Sequence, residues 1–105
     1  MAQRKCPIAD FEWDPRKEIV NVFKHGIDFT TASLIWDGFV SERPDRCSYG
    51  EARFVAFGIA ESRILAVVYT PRGAARRIIS ARIAARRERR LYEEEVAHRG
   101  RPPPN

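Results

Sequence analysis

The sequence predicts an α+β domain with an antiparallel sheet of four to five strands. An N-terminal helix hairpin covers one face, and a C-terminal helix closes the chain. Three observations carry this expectation. The chain has 105 residues, enough for one hydrophobic core. Two helix-like segments meet at a glycine, in KHGIDF (Lys24 to Phe29). Runs rich in β-branched residues then follow one another across short turns, and strands joined that way pair antiparallel.

FEW (Phe11 to Trp13) is short and aromatic and reads as a brief strand. Asp14 suits an N-cap and Pro15 the first helical position, where its missing N–H leaves nothing unbonded. The spacing predicts a helix from Pro15 to His25 that buries Ile19, Val20 and Phe23. Gly26 is placed to end it in the left-handed conformation, with Ile27 packing back on the last turn. Asp28 then caps a second helix, Phe29 to Trp36, whose inner face is Phe29, Ala32, Ile35 and Trp36. Asp37-Gly38 closes it. Trp13 and Trp36 read as core.

FVSERPD (Phe39 to Asp45) reads as a strand whose Pro44 suits an edge or an end. Ala52 to Ala60 and Arg63 to Thr70 flank a tight turn at Glu61-Ser62 and form a hairpin. The second of these is apolar on both faces, which predicts a central strand. PRGA (Pro71 to Ala74) is a turn, and a strand from Arg76 to Ile83 follows. Ala84 to Ala97 is strongly helix-forming. The expected domain is therefore residues 10–97, between a flexible tail at 1–9 and a Pro-rich tail at 98–105.

Composition excludes several classes. The longest apolar run, Ile64 to Tyr69, is too short to span a membrane, so no membrane partner is expected. No apolar h-region follows the N-terminus, and a cytoplasmic location is expected. Cys6 and Cys47 make no disulfide framework, and neither stands in a metal-ligand spacing. No metal and no cofactor are expected.

The net charge of +5 is unevenly spread. Residues 1–71 hold 9 Lys+Arg against 10 Asp+Glu, whereas residues 72–105 hold 10 Arg against 4 Glu. Arginine's planar fork fits phosphate, so a polyanionic partner is the functional reading. An ordinary solvated surface is the alternative. Alternation along the last strand puts Arg76, Ile78, Ser80 and Arg82 on a donor-rich face, and Arg77, Ile79, Ala81 and Ile83 on the core side. The final helix carries Arg86, Arg87, Arg89 and Arg90 at its start and Glu93 to Glu95 near its end. That order opposes the helix dipole, which hints at a use elsewhere for the arginines.

Several of these pieces together resemble the BrnT toxins: FEWD (Phe11 to Asp14), Lys17, KHGIDF, Ala32, VVYT (Val67 to Thr70), RIISAR (Arg77 to Arg82), Glu88-Arg89 and Tyr92-Glu93. The turn after the central strand departs from the pattern, with Pro71-Arg72 where such proteins often carry an acid before the arginine. The resemblance implies a RelE-like fold and a ribonuclease that halts translation. It implies neutralisation by a BrnA-like ribbon-helix-helix antitoxin, and contact with operator DNA only through that complex.

Cleavage of RNA without a metal needs a base for the 2′-OH, cations around the phosphate and a donor for the leaving oxygen. Arg72 and Arg82 are the first candidates for clamping the phosphate, ahead of Arg76 and Arg77. His25 is the candidate base because histidine exchanges a proton near neutral pH; Lys24 is the alternative. Arg53, Arg76, Arg77, Ser80, Arg86, Arg89 and Arg90 are candidates for holding RNA. Tyr92, on a helix face with Glu88 and Val96, reads as packing rather than base stacking. The competing functional class is a non-catalytic basic module that binds an acidic antitoxin or nucleic acid as a co-repressor.

Overall fold

Asp14 opens the first helix, α1 (Pro15–His25), by accepting a hydrogen bond from the Arg16 N–H at 2.9 Å. That backbone contact, more than the guanidinium beside it, holds the Asp14 carboxyl below its usual range. Gly26 ends the helix at φ 72°, and its N–H donates to the Val22 carbonyl. Asp28 caps α2 (Phe29–Ser33) through the Thr31 N–H, which lowers its pKa in the same way. The helix expected to reach Trp36 stops at Ser33 and tightens into a 3-10 turn over Leu34–Asp37. These elements belong to a computed structural model that describes residues 10–45 and 50–99. The tail expected at 1–9, the part of the tail expected at 98–105 that lies beyond Arg99, and both cysteines lie outside the described residues.

Five strands form one sheet: β1 (Phe11–Glu12), β2 (Ser41–Pro44), β3 (Phe54–Ala60), β4 (Arg63–Arg72) and β5 (Ala75–Ile83), in the order β1-β5-β4-β3-β2. The strands joined by turns pair antiparallel, and β4 is central. The β3–β4 turn places Glu61 and Ser62 at φ 52° and 66°, the left-handed pair that matches strand twist. The expectation of a purely antiparallel sheet is corrected, because β1 runs parallel to β5. Those two strands are far apart in sequence, so no short turn constrains their direction.

Apolar clusters cover both faces of the sheet. On one face Ile27, Phe29, Ala32 and Ile35 pack on Leu65, Val67, Tyr69, Ile78 and Ala81. Gly58 permits this approach: a Cβ there would stand 2.7 Å from the Ile35 Cβ. On the other face Phe57, Ile64, Ala66 and Ala84 pack with Tyr92 of α3 (Arg86–Arg99). Tyr92 is packing, as read from the sequence, and its hydroxyl donates to the Phe39 carbonyl at 2.8 Å. The last helix extends past its expected end at Ala97 to Arg99.

Two expectations about faces are overturned. Ile19, Val20 and Phe23 of α1 are 69%, 52% and 91% exposed, while Asn21 is buried. On β5 the register slips between Val68 and Tyr69 of the partner strand, which leaves Ile79 as an extra residue in a bulge. Side-chain alternation therefore reverses at Ile79. Arg76 and Ile78 join Ala81 and Ile83 on the face of α2. Arg77 joins Ser80 and Arg82 on the face of α3.

Candidate nucleic-acid interface

β1 pairs only with Arg76 and Arg77, so the outer edge of β5 beyond them lacks a strand partner. Asn21 substitutes for one. Its Nδ2 donates to the Ala81 and Ile27 carbonyls at 2.9 Å each, and its Oδ1 accepts from the Ala81 N–H at 3.0 Å. A buried amide is stable there because backbone groups satisfy both its ends. This anchorage turns the polar side of α1 toward the sheet. Between them lies a cleft of about 520 Å³, lined by Arg16, Lys17, Lys24 and His25 of α1 and by Ile79 and Ser80 at the bulge. Lys17, Lys24 and His25 make no ion pair among the described residues. Two of the candidate catalytic residues, Lys24 and His25, thus meet the candidate Ser80 in one cavity.

Arg77 stands close enough to Asp14, at the rim of the cleft, to help lower that carboxyl's pKa. Its Nη1 lies 3.3 Å from Glu12. Across the sheet, Arg53 and Arg72 share one carboxylate, Glu51, at 3.9 and 3.8 Å. Pairs this long and this exposed contribute little to stability, and a phosphate can displace them. The Arg53 Nε is buried with no hydrogen-bond partner among the described residues. Arg53, Arg72 and Arg77 therefore form one loosely held basic row at the end of the sheet that α3 leaves uncovered.

The other arginines are placed differently. Arg76 lies on the opposite face, its guanidinium 4.8 Å from the Trp36 ring centre and 5.6 Å from that of Tyr69. Glu42 accepts from both aromatics there, at 2.6 Å from the Tyr69 hydroxyl and 3.2 Å from the Trp36 Nε1. Burial, together with the Glu42 carboxylate, pushes the Tyr69 pKa up to about 12. Arg82 grips Glu88 with two nitrogens, at 2.7 and 3.0 Å. Glu88 also accepts from the Ala85 N–H, so this pair caps α3 and ties it to β5. Arg89 donates to the Ala84 carbonyl at 3.1 Å. Arg86 and Arg90 are exposed on the side of α3 away from Tyr92, and they do not join the basic row.

Sequence reading passed over Lys17 and Asn21 as site residues. The signal was present: Lys17, Asn21, Lys24 and His25 recur at helical spacing and form a polar stripe. The apolar residues on the other side of α1 outweighed it.

Comparison with known proteins bears on what this interface serves. Residues 13–88 match the family model described as the ribonuclease toxin, BrnT, of type II toxin-antitoxin systems. The crystal structure of the Brucella abortus ribonuclease toxin BrnT superposes with a TM-score of 0.57 at 28% identity, covering 74% of this chain and 99% of that one. No curated protein matches. The match spans α1, all of β2 to β5, the cleft and the start of α3, and on that ground the chain belongs to the BrnT family of type II ribonuclease toxins.

Proposed function

We propose that this toxin is an endoribonuclease of the mRNA interferase type, with a RelE-like fold, that needs no metal and arrests translation. A BrnA-like ribbon-helix-helix antitoxin neutralises it, and operator DNA is contacted only through that complex. The observation that carries the reading is the cleft itself. It presents a histidine and two lysines that make no ion pair among the described residues, opposite Ser80 and beside a row of displaceable arginines.

In this mechanism RNA lies along the open edge of β5. Arg72 and Arg77, with Arg53 next to them, hold backbone phosphates as cationic forks. His25 takes the proton of the 2′-OH, whose oxygen attacks the neighbouring phosphorus and forms a 2′,3′-cyclic phosphate. Lys24 supplies positive charge to the phosphate and a proton to the departing 5′-oxygen. Arg82 reaches substrate only by parting from Glu88; while paired, it positions α3.

The test uses the toxin freed of antitoxin, with RNA and excess EDTA. Cleavage to cyclic-phosphate ends is expected. His25→Ala and Lys24→Ala should each slow it by about a hundredfold or more. Neither should lower the melting temperature, because both side chains are exposed. Retained RNA binding with intact RNA supports the non-catalytic module instead.

A further inference from the structure

Apart from Val20, which also lines the cleft, the outer side of α1 takes no part in it, and its chemistry is unusual for a surface. Ile19, Val20, Val22 and Phe23 are 69%, 52%, 44% and 91% exposed. At 100° per residue they cover roughly 160° of the helix circumference, with Ile19 and Phe23 at the centre and Asn21 diametrically opposite. An amphipathic helix has thus been mounted with its apolar side outward, held there by one buried amide. A contiguous exposed apolar patch of this kind marks a site of association.

Charge selects the occupant. Lys17 and Lys24 border the patch along one side and Arg16, paired with Asp14, stands at its N-terminal end, while the one acid within the helix, Glu18, is turned to the Phe29 N–H. A second copy docking symmetrically would set this basic border against itself. The chain's own residues 1–9 carry Arg4 and Lys5 and no acid. An RNA base could stack on Phe23 but would leave Ile19, Val20 and Val22 unmatched. We infer that α1 is the docking surface for an acidic amphipathic helix of the antitoxin, with Ile19 and Phe23 as its anchors. This rests on the toxin–antitoxin reading above.

Such a helix lies in an apolar groove by its own apolar side, and its flanking carboxylates reach the basic border. The border cations Lys17 and Lys24 also line the cleft. Docking therefore takes from RNA the charges that would hold its phosphate, and neutralisation needs no change of fold.

The experiment uses the full chain and, as probe, the product of the short open reading frame adjoining its gene. Wild-type toxin should co-purify with that product. The double variant Ile19→Ser/Phe23→Ser should bind at least about tenfold more weakly by calorimetry, because anchors of this type dominate interfaces. It should keep its melting temperature, and when expressed alone it should arrest growth as the wild type does, now without rescue by the product. Unchanged affinity in the double variant overturns the surface, as does a wild-type toxin that fails to bind. A dimer of the toxin that the double substitution dissolves, with affinity for the product intact, assigns the patch to a second copy and also overturns it. Weakened binding by a toxin that cleaves no RNA leaves the docking surface standing and removes the ribonuclease reading.

Discussion

Asn21 decides how α1 sits. It joins the helix to the Ala81 backbone of β5 and to the Ile27 carbonyl of the loop that follows α1. Replacing it with leucine keeps the volume but strands two carbonyls and one N–H in a buried place. Asn21→Leu should destabilise the fold by about 3 kcal/mol, measured as a lower urea midpoint. An unchanged midpoint would mean that the edge of β5 is held by something else. Gly58 is decisive in a different way, since the backbone of β3 there leaves room for Ile35 and for nothing more.

At the scale of elements, α3 is fastened by a carboxylate. The Arg82 guanidinium, ahead of the Ala85 N–H, holds the Glu88 carboxyl below its ordinary value of 4.5. A carboxylate with a lowered folded pKa stabilises above its unfolded value, and that contribution is lost as pH falls through the folded value. The window is therefore acid, below about pH 4.5. Wild-type protein should lose more melting temperature between pH 5 and pH 3 than Glu88→Gln, which has nothing left to protonate there. Equal slopes in a thermal melt series would show that the pair does not secure α3. The bulge at Ile79 is the second element-scale device. It lets one strand serve the α2 core with Ile78 and Ala81 while turning Arg77, Ser80 and Arg82 to the other face.

At the scale of the whole molecule, three groups of cations among the described residues bear on RNA binding. The cleft holds lysines and His25; the open end of the sheet holds Arg53, Arg72 and Arg77; the outer side of α3 holds Arg86, Arg87 and Arg90. Only the first two adjoin. RNA affinity should fall with salt, with a log–log slope near −0.7 for each phosphate contacted. Arg53→Ala and Arg72→Ala should each flatten that slope by about one contact, and Arg90→Ala should leave it unchanged. A slope altered by Arg90→Ala and untouched by Arg72→Ala would move the RNA to α3. Among the described residues no helix is long and apolar enough to cross a membrane.

What the chain determined by itself is mostly local. Asp14, Pro15, Gly26 and Asp28 set the two helix starts and the bend between them, because caps and left-handed residues act over a few bonds. The turn at Glu61-Ser62 and the central place of β4 were legible for the same reason, and so were the family motifs. The cleft was legible only in part: Lys24, His25 and Ser80 stood out by type, but nothing local shows that they meet. Tertiary structure decided which faces point where. Asn21 found two backbone groups on a strand sixty residues away and a third at Ile27, which outweighed the apolar periodicity of α1. One extra residue opposite Val68 and Tyr69 exchanged Arg76 for Arg77 on the basic face. Periodicity predicts that a face exists; an unpaired strand edge and a slip in register decide whether it is buried.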